Sequence, residues 1–212
     1  MTYNSLIDEI KRKDLDIERL ARRIIDNKGY RNEVVNYLMF NKNIMVYYHS
    51  YYVLSRASEI RPQLFYEYWN DFVELLGNKN SYKRDIGMIL IANLITVDEE
   101  RKFDNIFDKY IEHINDEKFM TAQCCVRNLK KIIQQREDLI DKIVSILLKI
   151  EDRTSYPKKQ MELLKYDILD IFKIVYDKAQ DKDEIKLFIK NCLESISPKT
   201  KKMAKEIFKN LK

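Results

Sequence analysis

The chain has 212 residues and a net charge of +5, from 39 Lys and Arg against 34 Asp and Glu. It holds only 3 Gly and 3 Pro. Sheets need turns and turns favour those residues, so the composition excludes a sheet-rich fold and points to an all-α protein. The mild positive charge does not by itself imply nucleic acid.

The 3 Cys, of which Cys124 and Cys125 are adjacent and Cys192 is distant, follow no disulfide framework and suggest a reducing compartment. The first ten residues include Asp8 and Glu9 where a signal peptide would be apolar. No apolar run approaches the roughly 18 residues of a membrane span. The expectation is a cytoplasmic protein with no membrane partner.

Residues 3–27 read as one or two amphipathic helices, with Leu6, Ile10, Ile17, Leu20, Ile24 and Ile25 on the apolar face. Asp14 is the expected cap of the second part, and Gly29 its stop. Beyond that the helices pair. The first members are read as Arg31–Phe40, Pro62–Leu76, Arg101–Ile114, Glu137–Ile150 and Asp183–Ser195. The second members are Ile44–Glu59, Ser81–Thr96, Phe119–Gln134, Pro157–Tyr176 and Pro198–Leu211.

Two tracks of core positions keep nearly one period. Leu38, Leu76, Ile114, Ile150 and Cys192 step by 38, 38, 36 and 42 residues. Ser50, Gly87, Ala122, Leu164 and Ala204 step by 37, 35, 42 and 40. In the second helices a small residue is followed by apolar ones at i+4 and i+7, as in Ser50-Leu54-Ala57, Gly87-Ile91-Leu94, Ala122-Val126-Leu129 and Ala204-Phe208-Leu211. Those positions share one helix face, and the small residue lets a partner helix approach. A helix pair repeating at this period is a solenoid signature. No linker interrupts it, so residues 1–212 read as one domain, with a cap at 1–28 and repeats over 29–212.

The chain resembles the HEAT/armadillo class of repeat proteins over residues 29–211, most clearly from Arg61 to Ile150. Arg84 followed by Gly87 resembles the Arg-x-x-Ala step of the HEAT second helix. Pro62 in a first helix and Asp116 in an intra-repeat turn also fit. Most other first helices lack a Pro and no Asp/Arg ladder repeats, so the array is a divergent one. The resemblance implies a right-handed α-α superhelix of about five hairpins, a binding scaffold whose second helices line the concave face and whose first helices line the convex one.

Signals for chemistry are sparse. His49 and His113 lie in different repeats without ligand spacing. Adjacent Cys124 and Cys125 point about 100° apart on a helix, so one packs inward. Three glycines cannot build a phosphate loop. The carboxylate pairs Asp167/Asp170 and Asp104/Asp108 read as surface charges. No catalytic residue, metal site or cofactor is expected.

Two features point to a binding surface. The first is the run Tyr47-Tyr48-His49-Ser50-Tyr51-Tyr52, in which Tyr47 faces inward while Tyr48 and Tyr52 form another row beside Arg56; tyrosine gives large contact area at low entropic cost. The second is charge. Every second-helix segment carries a surplus of base and no first-helix segment does, and 118–136 holds five bases and no acid. With the HEAT resemblance this implies a basic concave face. The partner-binding candidates are Tyr48, Tyr52, Arg56, Arg127, Lys130, Lys131, Lys165, Lys202 and Lys205. The expected function is a non-enzymatic scaffold for a protein or peptide, acidic in character. The alternative is a nucleic-acid binder, since the same bases can neutralise phosphates and tyrosines can stack on bases. The HEAT-like alkylpurine DNA glycosylases use a Trp on the concave face, but Trp69 falls on a first helix, which disfavours that activity.

Overall fold

The structure, a computed structural model, describes residues 5–211. These residues are helical throughout, with thirteen α-helices and no strand among them. In chain order α1 is Leu6–Ile10, α2 Ile17–Asp26, α3 Lys28–Phe40, α4 Ile44–Ile60, α5 Trp69–Leu75, α6 Ser81–Leu94 and α7 Lys102–Ile111. Then follow α8 Phe119–Gln135, α9 Ile140–Leu148, α10 Ile150–Arg153, α11 Lys158–Val175, α12 Lys182–Cys192 and α13 Pro198–Asn210. The chain divides into two compact units, one ending at Ile106 and the other beginning at Phe107, so the boundary falls inside α7.

Helix starts follow from side-chain caps, each satisfying a backbone N–H that the helix itself cannot. The Asp16 carboxylate accepts from Arg19 N, Asn43 from Met45 N and Val46 N, Asn80 from Tyr82 N and Ser197 from Thr200 N. Two expectations are corrected here. Asp16, not Asp14, caps α2, because Asp14 is held by Arg12 at 2.8 Å. Gly29 does not end a helix: Asn27 accepts from Tyr30 N, so α3 starts at Lys28 and Gly29 lies in its first turn.

One turn device recurs between the members of four of the five pairs. Asn41 Oδ1 accepts from Asn43 N, Asn78 Oδ1 from Asn80 N, Asp116 Oδ1 from Lys118 N and Ser195 Oγ from Ser197 N. Each is a side-chain turn over two residues that reverses the chain locally. The junction before α11 lacks it, since Pro157 has no N–H to give.

Three first helices are broken. Pro62–Leu64 and Tyr66–Tyr68 are 3₁₀ turns before α5; Glu112–Asn115 is a 3₁₀ turn after α7; and 3₁₀ turn Glu137–Leu139, α9 and α10 replace one long helix. Buried Asp98 organises the entry to α7. Its carboxylate accepts from Lys102 N and Phe103 N at 2.8 and 2.9 Å and from the Tyr66 hydroxyl at 2.6 Å.

Both tracks of aligned positions are buried, from Leu38 to Cys192 in the first helices and from Ser50 to Ala204 in the second. The i+4, i+7 pattern holds for the second helices at Ser50, Gly87 and Ala122 but not for the last. Phe208 is exposed, and α13 instead buries Thr200, Ala204 and Ile207. Within the first unit α4 packs against α2, α3 and α6, and α5 against α6. Within the second, α11 packs against α8, α12 and α13. Many long-range hydrogen bonds join residues about one period apart, as Arg56 to Glu18 (38 residues), Asn93 to Ser55 (38), Arg127 to Asp167 (40) and Thr200 to Glu162 (38).

Gly87 marks the closest approach of α6 to α5. A Cβ there would lie 2.8 Å from the Phe72 carbonyl oxygen and 2.9 Å from Leu75 Cβ. Backbone cannot yield as a side chain can, so Gly87→Ala is expected to destabilise the protein by about 1–3 kcal/mol through overpacking. Helix propensity alone argues for a gain of about 1 kcal/mol. Gly77→Ala, whose Cβ would meet only a carbonyl at 3.8 Å, serves as the control. Thermal melting checks this: the Gly87 variant melts below wild type, and an unchanged midpoint would refute the close approach.

Candidate partner-binding face

In the first unit the site grows from the spacing of α4. Ser50, Val53, Leu54 and Ala57 are buried, which turns Ile44, Tyr48, Tyr52 and Arg56 outward in one i, i+4 row. Tyr47 packs inside, as expected. Tyr48 stacks on Tyr47 with ring centroids 5.0 Å apart and lies 6.3 Å from Tyr52. Tyr82 of α6 meets it edge-on at 5.7 Å. Tyr48 is therefore half-buried among rings, and burial pushes its phenol up to about 12. Tyr52 and Tyr82 remain open to solvent, 44% and 58% exposed.

Tyr82 was not singled out by the sequence reading. Its signal was present: it follows Asn80 by two residues as Met45 follows Asn43, and neighbouring second helices bring equivalent positions together. Arg56 sits at the end of the row with its guanidinium 2.6 Å from Glu18 of α2, so its charge is already matched. His49 is directed to the N-terminal segment, its Nδ1 2.6 Å from the Ile10 carbonyl oxygen.

In the second unit the acid-free helix α8 meets carboxylates from α11. Arg127 Nε lies 3.1 Å from Asp167 and Lys130 Nζ 2.6 Å from Asp170. Gln123 Nε2 also donates to Asp167, at 2.7 Å. Asp167 is thus no surface charge. It is a buried acceptor shared by two side chains of the neighbouring helix. Arg127 stays half exposed despite its pair, and Lys131 is exposed.

Lys165 is corrected as a contact residue. Its side chain is only 13% exposed, with Nζ 2.9 Å from Glu151 and 3.2 Å from Glu162. Glu162 in turn accepts from the Ser195 hydroxyl, and its backbone carbonyl accepts from Thr200 Oγ1 at 2.7 Å. This polar hub ties α11 to α13. Lys202 and Lys205 lie exposed on α13.

The nine candidates therefore separate into three groups. Tyr48 and Tyr52 belong to a cluster of five tyrosines with Tyr47, Tyr51 and Tyr82. Arg56, Arg127 and Lys130 are in ion pairs, and Lys165 is buried in one. Lys131, Lys202 and Lys205 are exposed. Other titratable groups are absorbed by packing. Cys125 is fully buried, its thiol 3.4 Å from the Tyr110 carbonyl oxygen and pushed up by that burial. Cys192 is pushed up to about 12 by burial. Trp69 is buried beside Tyr66. Among the described residues no group of three or more His, Cys, Asp or Glu side chains could hold a metal ion, and no helix is long and apolar enough to cross a membrane.

Two grooves open in the second unit. One, of about 720 Å³, separates α7 and its 3₁₀ turn from α9 and α10, with Asp108 and Glu112 on one wall and Lys142 and Arg153 on the other. The breaks in these first helices let them splay there. The other, of about 350 Å³, lies between α11 and α13 and is lined by Lys173, Tyr176, Asp177, Ile207, Asn210 and Leu211. Comparisons with known protein families, with curated proteins and with solved structures find no match.

The two carboxylates of α11 are expected to differ in weight. Asp167→Ala should cost about 1–3 kcal/mol, since Gln123 and Arg127 lose a buried acceptor. Asp170→Ala breaks a half-exposed pair and should cost about 0–1 kcal/mol. Urea unfolding at neutral pH measures both, and equal costs would contradict the buried hydrogen bond to Gln123.

Alkali supplies a second check. The phenols of Tyr48 and Tyr156 are pushed up to about 12 by burial, against about 10 in the unfolded chain. The folded state then binds more protons between these values, so stability is full below about pH 10 and falls as pH rises towards 12. Near-ultraviolet absorbance should show part of the tyrosinate signal appearing only with loss of the helical circular dichroism. Complete tyrosine ionisation before unfolding would refute it.

Proposed function

We propose that the protein is a non-enzymatic helical-repeat scaffold of HEAT type, a right-handed α-α superhelix, that binds a protein or peptide on the exposed side of its second helices. The observation that carries the reading is one recurring contact. In each unit second helices lie side by side and bond through residues 38 to 40 apart, Asn93 with Ser55 in the first and Arg127 with Asp167 and Thr200 with Glu162 in the second, while Arg56 of α4 bonds Glu18 of the cap helix α2 at the same spacing. Stacked pairs of this kind leave a continuous exposed side, which is what solenoids use for binding.

The side-chain content of that face supports a protein partner. Tyr52, Tyr82 and Ile44 offer apolar area, and Tyr combines such area with few rotatable bonds. The nucleic-acid reading rests on the basic lining of the second helices, and on α8 two of those bases already face Asp167 and Asp170 of α11. Free thiols accord with a reducing compartment such as the cytoplasm.

The test is affinity capture with three forms of the protein. One is wild type. The second carries Tyr52→Ser, Tyr82→Ser and Lys202→Glu on second helices. The third carries Asp104→Lys and Asp108→Lys on the first helix α7. The partner should be lost from the second form alone, with melting temperatures little changed, as exposed substitutions cost within about 0.5 kcal/mol each. Equal capture by all three would remove the second-helix face as the functional surface. A bound fraction destroyed by nuclease would replace the protein partner with nucleic acid.

A further inference from the structure

We infer that the seam between α11 and α13 is a docking site for an acidic peptide segment carrying one apolar anchor residue. The inference rests on the scaffold reading and narrows it to one surface of the second unit. It starts from α13, which holds Lys199, Lys201, Lys202, Lys205 and Lys209 against the single acid Glu206. Because Thr200, Ala204 and Ile207 are turned into the core, Lys202 stands on the opposite side of the helix, two residues or about 200° from Ala204. Lys201 is the one drawn away, towards Glu194 at 3.7 Å.

The two ends of the seam differ in chemistry. At the start of α13, Lys199 reaches over the Tyr166 ring of α11, with Nζ 3.7 Å from the ring centroid. Lys202 follows it within a turn. At the far end is the groove of about 350 Å³, with Ile207, Leu211 and Tyr176 as its apolar lining and Lys173, Asp177 and Asn210 as its polar lining. That volume is near the bottom of the ~300–1,000 Å³ range of ligand pockets. Ile207, Leu211 and Tyr176 give the groove room to bury an apolar side chain.

Eight residues separate Lys199 from Ile207, about 12 Å of helix. An extended chain covers that distance in about four residues. A matching ligand therefore carries acidic residues at one end and an apolar residue about four positions away, with a further acid beside it for Lys173. Of the neighbouring acids, Asp170 is engaged by Lys130, Asp177 shares the groove lining with Lys173, and Glu206 is outnumbered by the lysines of its own helix. Nucleic acid fits less well. Base stacking needs an open ring face, and the face of Tyr166 carries Lys199.

The experiment uses fluorescence anisotropy with the full chain and labelled synthetic peptides of about ten residues. The first contains Asp and Ser with one Leu placed about four residues from an Asp pair. The second replaces Leu by Ala, the third replaces Asp by Asn, and a single-stranded oligonucleotide of equal charge completes the set. The first peptide should bind best and weaken with salt, as charge contacts are screened over about 8–10 Å at 0.1–0.15 M. Loss of the Leu side chain should cost about tenfold or more. Lys199→Glu with Lys202→Glu should weaken binding by about tenfold, whereas Lys205→Glu, on the side of α13 away from the groove, should change it about threefold or less. Asn210→Trp, which fills the groove, should abolish the advantage of Leu over Ala while leaving the melting curve in place.

Equal binding of the Asp and Asn peptides, or tighter binding of the oligonucleotide, would overturn the inference. So would an unchanged preference for Leu in Asn210→Trp. If no peptide binds while capture of a protein still depends on the second-helix face, the scaffold stands and this site falls. If that capture fails as well, the scaffold reading falls first.

Discussion

A hydrogen bond spanning two residues sets the register of this protein. In four of the five hairpins the side chain at the junction accepts the N–H two residues on; at three of these the next helix begins from that point with its Asn or Ser cap, and at the fourth, before α8, from Lys118. The bond reverses the chain and sets where these four second helices begin. Everything that follows depends on that placement. Gly87 can approach Phe72 and Leu75 only because α6 returns along α5 in this register. Shifting the turn by one residue would rotate α6 by about 100° and present Met88 instead.

Burial of charge then decides what the second helices can offer. The basic character of 118–136 is a property of one helix in isolation. In the folded chain α11 answers it, with Asp167 shared between Gln123 and Arg127, and Asp170 set against Lys130. Such pairing fixes the lateral alignment of neighbouring helices at least as much as it adds stability, since half-exposed ion pairs contribute little. The charge that still faces outward lies mainly on α13, where no neighbouring acid row faces it. Charge read from one segment is therefore a poor guide to surface potential until the adjoining helix is known.

Most of the architecture was legible because it is carried by local periodicity. Helix positions, hairpin pairing and the two buried tracks all follow from apolar spacing and small residues, and second-helix boundaries came within a few residues. What was not legible involved choices between equivalent local groups. Asp14 and Asp16 are both good caps by type; only the contact with Arg12 removes Asp14. The first helices break into 3₁₀ turns where tertiary packing, not composition, decides the pitch. The candidate face was legible in part. Tyr48 and Tyr52 were found from their row, whereas Tyr82 required knowing that α6 lies beside α4. Lys165 looked solvated because nothing in its own helix reveals that Glu151 and Ser195 close over it and Glu162.

The hub around Glu162 also bears on how the second unit moves. Helix α11 buries nine side chains, whereas α13 buries only Thr200, Ala204 and Ile207. Its hold on α11 is largely polar, through Thr200 and, by way of Ser195, the residues just before it. Parts of a protein with few buried apolar contacts open at a lower free energy than its core. Helix α13 is therefore expected to open at a lower free energy than α11. A ligand resting across α13 would bind only the seated form and so slow that opening. Under the proposed docking at α13, recognition and the ordering of that helix would be one equilibrium, and amide hydrogen exchange along 198–210 would report how often the surface is assembled.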